Sequence, residues 1–234
     1  MIAKTLVPKH SMSEANNQWL NVLERVCPGM QKAPDKLFDV GIKFPMDDPF
    51  VTYQHTHAMR MRQMLDNPLT YLRGYAGIPE KLRDVAVMLT LDPWHQLATL
   101  NIPCGVCVIF SNIRFRITRG KLECCAVLPS IEAWNGLPRR MAELAALSTF
   151  VLLALRKLGH SVELGEVYLT MDSVYVSPGH MPLAQRATWY GSVSATYPRM
   201  FPASPLTMQH LMDITKNDSH NELKYAVEFY KDIL

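Results

Sequence analysis

The feature that most constrains the fold is a long apolar segment near the middle of the chain. Residues 138–157 begin with a proline and end with Arg156 and Lys157, just ahead of Gly159. Proline suits the first turn of a helix, basic residues complement the dipole of its last turn, and glycine commonly terminates it. Because the middle of this segment, LAALSTFVLLAL, is apolar on nearly all sides, we predict a buried central helix about 30 Å long.

A β-hairpin is predicted directly before this helix. Between residues 113 and 117 apolar side chains alternate with two arginines, a period of two that is typical of a strand with one polar face. The sequence Thr-Arg-Gly-Lys at 118–121 then reverses the chain into a second strand over residues 122–128. A further strand is predicted over residues 166–176.

The remaining elements complete an α+β pattern. Amphipathic helices are predicted over residues 16–27 and 219–234, residues 51–73 are expected to be helical in part, and the short apolar run at 84–91 fits a strand. The pattern predicts a mixed or largely antiparallel sheet packed on a long buried central helix. No linker divides the sequence, so we expect a single domain over residues 1–234.

Composition narrows the class of protein. The chain has 234 residues, of which 48% are hydrophobic and 19% charged, as in an ordinary globular protein. A net charge of +3 is too small to indicate a nucleic-acid or membrane partner without a clustered basic patch. The five cysteines are unevenly spaced and no signal peptide is apparent, which argues against a secreted disulfide framework. We expect a cytoplasmic protein that binds neither nucleic acid nor a membrane.

Cys104 is the candidate nucleophile, because a cysteine that follows a proline at a strand edge can be presented to a pocket. Cys104 and Cys107 also form a C-x-x-C pair. Zinc would need a second pair, and the adjacent Cys124 and Cys125 should point to opposite faces of a strand. A redox pair normally opens a helix, whereas this one precedes a strand. A zinc or redox module is therefore the weakest hypothesis, and no metal site is predicted.

Several motifs follow one another in a fixed order. Cys104, in the sequence Pro103-Cys104-Gly105, stands twelve residues after Asp92. The sequence LPSIEAWNGLPRR fills residues 128–140, and a strand carrying Tyr175 follows the long helix. In this order they resemble thymidylate synthase and the related deoxycytidylate hydroxymethylases. That family carries P-P-C-H and Q-R-S-x-D-x-x-x-G-L-P-F-N at the corresponding places. Residues 18–52 are similar to the family's opening helix, phosphate loop and F-P-L-V-T-T segment, so the similarity spans residues 16–182.

The resemblance implies a thymidylate-synthase-like fold, a homodimer, and transfer of a one-carbon unit to C5 of a pyrimidine nucleotide such as dUMP or dCMP. Cys104 would add to C6 of the base, and 5,10-methylenetetrahydrofolate would be the cofactor. Glu132 stands where the family has an aspartate that faces the pterin, and Gly136 belongs to the same cofactor-binding motif.

The resemblance also implies four nucleotide-binding residues. Lys36 takes the place of a phosphate-binding arginine, and Ser130 would contact the same phosphate. Tyr175 would contact the ribose. Arg140 stands at the position of the asparagine that reads the base, which suggests a different pyrimidine.

Departures from the family pattern leave two interpretations open. The histidine after the cysteine is Gly105, the arginine before the serine is Pro129, and the histidine before the tyrosine is Ser173. Residues 51–79, where the family carries its general acid/base glutamate, contain no glutamate. The chain is either a divergent enzyme, which we favour, or a relative that has lost catalysis and binds a nucleotide or a protein partner.

Overall fold

The computed structural model describes residues 14–27, 36–46, 78–102, 110–134 and 136–189. Within these ranges the helices and strands, in chain order, are α1 (Glu14–Val26), β1 (Leu37–Pro45), α2 (Ile78–Leu91), β2 (Thr99–Ile102), β3 (Phe110–Thr118), β4 (Lys121–Leu128), β5 (Ile131–Glu132), α3 (Gly136–Lys157), β6 (Glu163–Tyr175) and α4 (Met181–Trp189). The helices predicted over residues 51–73 and 219–234 lie outside the described residues, as do Cys104 and Cys107.

The strands form one mixed sheet of six strands in the order β1-β6-β4-β3-β2, and the short β5 pairs with β6. Strand β1 runs antiparallel to β6, and the neighbouring pairs β4–β3 and β3–β2 are also antiparallel. Strands β4 and β5 run parallel to β6, which is possible because α3 carries the chain back between them. The predicted α+β class with a mixed sheet is confirmed.

The β3–β4 hairpin was predicted correctly from its alternation. Ile113 and Phe115 are fully buried and face the core. The two-residue turn has positive φ at both Arg119 (52°) and Gly120 (75°), the geometry that matches the twist of a hairpin. Strand β4 continues the alternation: every second residue from Leu122 to Leu128 is buried, and the residues between are half-buried.

Helix α3 is the buried central helix that the apolar segment predicted. Its side chains are buried on most sides, and the hydroxyls of Ser148 and Thr149 donate to the carbonyls of Leu144 and Ala145 one turn earlier. The helix ends where predicted. Gly159 adopts φ 89°, its N–H donates to the carbonyl of Arg156, and the His160 N–H donates to that of Leu155, which is a Schellman termination. None of the helices in the described ranges has the length and apolar character of a membrane-crossing helix.

The strand predicted over residues 84–91 is wrong, because this run is the second half of α2. Its buried residues recur at helical spacing: Ile78, Leu82, Val85, Ala86 and Leu89. A short apolar run cannot be assigned by periodicity alone, and the helical period is visible only when the preceding turn is included.

Strand β6 changes its buried face close to its carboxyl end. Val167, Leu169 and Met171 alternate regularly into the core, but the next buried residue is Val174 rather than residue 173. On the neighbouring strand, Asp39 adopts φ 52°, a left-handed conformation that aspartate tolerates better than most residues. The change of face leaves Ser173 and Tyr175 partly exposed instead of buried.

Candidate functional site

Three of the predicted site residues meet where β5 and β6 end, a region that we call the β5–β6 end. Glu132 and Tyr175 are Cα partners in the parallel pairing of these strands. Ser130 stands two residues before Glu132, and its Oγ lies 2.9 Å from Ser173 Oγ on β6. Ser130, Glu132 and Tyr175 therefore occupy neighbouring positions, although α3 separates Tyr175 from the other two along the chain.

A fourth predicted residue, Lys36, lies at the same end of the sheet, directly before β1. Leu37 is the Cα partner of Val174, so Lys36, one residue before it, lies beside the end of β6. Lys36 is exposed. Next along β1, Phe38 pairs with Ser173 and leaves 68% of its side chain exposed. Phe38 is an apolar neighbour of the site that the sequence analysis did not single out, since it alternates like a core residue.

Glu132 connects three elements. Its Oε2 accepts a hydrogen bond from the N–H of Gly136 at 3.4 Å, at the start of α3. Its Oε1 accepts one from the N–H of Ser177 at 3.4 Å and lies 3.3 Å from His180 Nδ1, both just before α4. The carboxylate is largely buried, with 15% of the side chain exposed. A pterin would have to share this carboxylate with these protein groups.

His180 and Ser177 complete a polar cluster with Glu132. Ser177 Oγ lies 2.8 Å from His180 Nδ1. Serine, histidine and glutamate also form hydrolytic triads, but there the serine and the carboxylate contact different ring nitrogens. Here both contact Nδ1, so His180 cannot pass a proton from Ser177 in that way. The arrangement instead fixes the orientation of the imidazole ring.

The sequence analysis did not identify His180 as a site residue. It stands five positions after Tyr175, without a motif around it, and only the pairing of β5 with β6 brings it to Glu132. A signal was nevertheless present. The Ser-Pro-Gly-His sequence at 177–180 ends a predicted strand and is typical of a tight turn that can present a side chain.

Cys27, the residue directly after α1, lies next to this cluster. Its Sγ lies 3.3 Å from Met181 Sδ, in the first turn of α4. Burial raises the pKa of the Cys27 thiol to about 11, and the negative charge of Glu132 adds to the effect. Cys27 is therefore a neutral thiol at physiological pH and contributes to packing.

The two predicted residues at the start of α3 are held by internal contacts. A Cβ added at Gly136 would lie 2.9 Å from Ile131 Cδ1, so the glycine permits the helix to approach β5 closely. One turn later, Arg140 Nη1 donates to Glu143 Oε2 in an ion pair that leaves 18% of the arginine and 2% of the glutamate side chain exposed.

A groove lies at the opposite end of the sheet, beside the β3–β4 turn, and we call this region the hairpin end. It is a groove of about 760 Å³ whose lining includes Arg119, Glu123, Gly165, Glu166 and Tyr168. Glu166 pairs with Lys43 at 2.8 Å, and Glu123 with Arg116 at 2.6 Å. The guanidinium of Arg116 also lies over the rings of Trp94 and Tyr168, at 5.1 and 5.7 Å from their centroids.

Among the residues that the structure describes, no group of three or more His, Cys, Asp or Glu side chains is placed so that it could hold a metal ion. Cys124 is buried and Cys125 half-buried, as expected for adjacent residues that point to opposite faces of a strand. The pKa of Cys125 is raised mainly by burial, although nearby Arg116 opposes the shift. The hypotheses that depend on Cys104 and Cys107 concern residues outside the described ranges.

Comparison with known proteins does not assign this chain to a family. No protein-family model matches the chain, and no curated protein matches it.

Proposed function

We propose that this protein is a divergent pyrimidine-nucleotide C5 one-carbon transferase. It would methylate or hydroxymethylate a dUMP- or dCMP-like nucleotide, with 5,10-methylenetetrahydrofolate supplying the carbon. The observation that supports the proposal is the meeting of Lys36, Ser130, Glu132 and Tyr175 at the β5–β6 end. Lys36 directly precedes β1, Ser130 lies in the bend between β4 and β5, and Glu132 and Tyr175 end β5 and β6. Their likeness to the family's site residues comes from the order of the motifs in the sequence.

The accessible side chains at this end of the sheet have the chemistry that a nucleotide requires. Lys36 offers a flexible positive charge and Ser130 a hydroxyl donor, a combination suited to a phosphate. Tyr175 offers a phenol that can donate to or accept from a ribose hydroxyl. Phe38, paired with Ser173, would add an apolar surface next to them. Arg140 would approach the base only after its contact with Glu143 is rearranged.

Cys104 supplies the covalent step in this proposal. Its thiolate Sγ would bond to C6 of the base and move the C5–C6 electron pair to C5. Water would protonate C5 and leave hydroxide, and the original C5 hydrogen would then leave as a proton to that hydroxide. The electron pair left on C5 would expel the thiolate from C6 and regenerate the C5–C6 double bond. This cycle exchanges the C5 hydrogen with solvent and needs no cofactor. Exchange therefore isolates the role of Cys104 from the one-carbon transfer.

A second candidate function is a noncatalytic protein that binds a nucleotide or a protein partner. The observation that favours it is the internal engagement of two predicted site residues. Glu132 is shared among Gly136, Ser177 and His180, and Arg140 is paired with Glu143. A site whose polar groups already satisfy one another can bind a ligand at its exposed residues without performing chemistry on it.

Release of tritium from C5-labelled dUMP, dCMP, UMP and CMP distinguishes these functions. We expect release with at least one nucleotide in the wild type, loss of release in Cys104→Ser, and normal release in Cys125→Ser. Cys125 is a suitable control because it lies half-buried on β4, in the row of Arg114 and Tyr168. Absence of release with every nucleotide, together with nucleotide binding by calorimetry, would support the noncatalytic function.

The pH dependence of alkylation tests Cys104 separately. An activated thiol should react with iodoacetamide at lower pH than an ordinary cysteine. Peptide mapping can compare Cys104 with Cys27, whose pKa is raised to about 11 and which should react slowly throughout. An ordinary thiol profile at Cys104 would count against activation.

The homodimer remains a prediction of the resemblance. It would use the face of the sheet that α3 does not cover, where Glu123, Cys125 and Val127 of β4 are half-buried. Light scattering coupled to size-exclusion chromatography measures the oligomeric state. A monomer at all concentrations would contradict the prediction.

A further inference from the structure

The groove at the hairpin end lies on a β-bulge. Where β4 and β6 pair, one residue of β4, Glu123, stands opposite two residues of β6, Gly165 and Glu166. The bulge requires a glycine, because a Cβ at Gly165 would lie 2.5 Å from the carbonyl oxygen of Leu122. Bulges redirect side chains and are frequent beside functional sites. The groove at this bulge, of about 760 Å³, has the size of a small-molecule binding site.

Two carboxylates line the groove, and each is balanced by a cation of the neighbouring strand. Glu166 pairs with Lys43 at 2.8 Å and also accepts a hydrogen bond from the Tyr168 hydroxyl at 2.9 Å. Glu123 pairs with Arg116 at 2.6 Å through Oε2, which also accepts from a threonine hydroxyl. An ionised carboxylate accepts about four hydrogen bonds and donates none. Both groups can therefore accept further hydrogen bonds, and only from a donor.

Two further cations line the groove beside the β3–β4 turn. Arg119 occupies the turn itself and Lys121 begins β4, and both side chains are exposed. Because the carboxylates already have Lys43 and Arg116 as partners, these two residues give the groove an excess of two positive charges. A phosphate monoester carries nearly two negative charges near neutral pH. The planar guanidinium can hold two of its oxygens, and the lysine ammonium supplies a second point charge.

We propose that this groove binds a sugar phosphate. The phosphate lies against Arg119 and Lys121, and the sugar hydroxyls donate to Glu123 and Glu166, all four of which line the groove. This orientation follows from charge, because a carboxylate repels a phosphate but accepts a hydrogen bond from a hydroxyl. The site is distinct from the β5–β6 end and does not depend on the proposed function.

Backbone ¹⁵N–¹H correlation NMR of the full-length protein locates binding, with ribose 5-phosphate, inorganic phosphate and ribose as probes. We expect ribose 5-phosphate to shift the amide resonances of Gly120 and Gly165 and to bind about tenfold more tightly than inorganic phosphate. Ribose alone should shift neither resonance. Because the predicted homodimer would use the same face of β4, the titration is run in the oligomeric state that light scattering finds.

Three outcomes of this titration would overturn the proposal. Unchanged glycine resonances would mean that the groove does not bind a sugar phosphate. Shifts confined to Ser130 and Ser173 would place the ligand at the β5–β6 end instead. Equal affinity for inorganic phosphate and ribose 5-phosphate would reduce the groove to an anion contact without sugar recognition.

Charge variants test which side chains hold the phosphate. Arg119→Gln and Lys121→Gln should each weaken ribose 5-phosphate binding by about fivefold to tenfold, with the larger loss at low salt. Arg83→Gln is the matched control, because Arg83 is an exposed cation on α2 that does not line the groove. An equal loss in Arg83→Gln would indicate attraction by the net charge of the protein and would overturn the site. Thermal melts confirm that each variant is folded.

Glu123→Gln tests the contact with the sugar. Removal of this negative charge should strengthen the binding of inorganic phosphate, because the repulsion falls. The preference for ribose 5-phosphate over inorganic phosphate should then shrink to about threefold or less, since a neutral amide is a weaker acceptor for the sugar hydroxyls. A preference that stays at about tenfold would overturn the assignment of the sugar hydroxyls to this carboxylate.

Discussion

The two ends of the sheet hold their carboxylates in different ways. At the β5–β6 end a single carboxylate, Glu132, is shared by groups from the starts of α3 and α4, which are 4 to 48 residues away in the chain. At the hairpin end Glu123 and Glu166 each pair with a cation on the neighbouring strand. The first arrangement joins β5 to the starts of α3 and α4. The second adds ion pairs between strands that backbone hydrogen bonds already join.

This difference has an energetic consequence. Exposed pairs across adjacent strands contribute little, because water screens them and two long side chains must be ordered. A mostly buried carboxylate that accepts several hydrogen bonds is different, since its removal leaves donors without an acceptor. We therefore expect substitutions at the β5–β6 end to cost more stability than charge substitutions at the hairpin end.

The largest effect is expected for Glu132→Ala. Loss of the acceptor for Gly136, Ser177 and His180 should lower the free energy of unfolding by about 2–3 kcal/mol. Urea denaturation followed by circular dichroism measures this change. Glu132→Gln, which keeps one acceptor oxygen, should lose less. A loss below about 0.5 kcal/mol in Glu132→Ala would mean that the carboxylate does not connect the elements as described.

At the hairpin end we expect close backbone packing to contribute more to stability than the ion pairs, and Gly165→Ala tests this. A Cβ at this position would lie 2.5 Å from the carbonyl oxygen of Leu122, and backbone atoms cannot move aside as a flexible side chain can. We expect a loss of about 2 kcal/mol in the same urea experiment. Gly41→Ala on β1 is the matched control, because a Cβ there meets nothing within 4 Å. Equal losses in both variants would point to glycine flexibility rather than close packing.

Glu123→Gln should have a smaller effect. The ion pair with Arg116 is partly exposed, although Glu123 also accepts from Thr118 Oγ1 at 3.3 Å, and Gln can keep that bond. We expect a loss of about 1 kcal/mol or less. Double-mutant analysis with Arg116→Gln gives the coupling between the two side chains. Coupling well above this value would make the hairpin end a stabilising centre and remove the contrast between the ends.

Glu166→Gln should have the smallest effect and should depend on pH. The hydrogen bond from Lys43 lowers the pKa of Glu166 below its ordinary value of 4.5. A carboxyl group with a lowered folded-state pKa adds stability above about pH 4.5 and loses it as pH falls through the lower value. Melting temperatures of wild type and variant should differ slightly above pH 5 and converge in more acidic solution. A gap that widens with acid would contradict the assignment, and high salt should reduce it.

Much of the fold could be predicted because its signals are local. The β3–β4 hairpin, α1, α3 and β6 each carry a periodicity or a terminating residue that neighbours in the chain alone produce. Residues 84–91 by themselves do not predict helix α2, because their helical period is visible only together with the preceding turn. The change of face in β6 was also beyond prediction, because it accompanies a left-handed residue, Asp39, on a different strand.

The candidate site, like the fold, is only partly predictable from the sequence. Lys36, Ser130, Glu132 and Tyr175 could be singled out from the order of motifs, and the structure brings them to one end of the sheet. Their internal contacts could not be foreseen. Neither the sharing of Glu132 with His180 nor the burial of Glu143 beneath Arg140 leaves a pattern in the sequence.

By itself the sequence determined the elements of this protein: an apolar helix too uniform for the surface, an alternating hairpin and a strand that carries Tyr175. Only the tertiary structure decided which side chains meet. Glu132 reaches His180 because α3 carries the chain across the sheet and returns β6 parallel to β5. Local propensities depend on residues a few positions apart. Pairing between strands forty residues apart depends instead on how the whole core closes, and that closure places the imidazole beside the carboxylate.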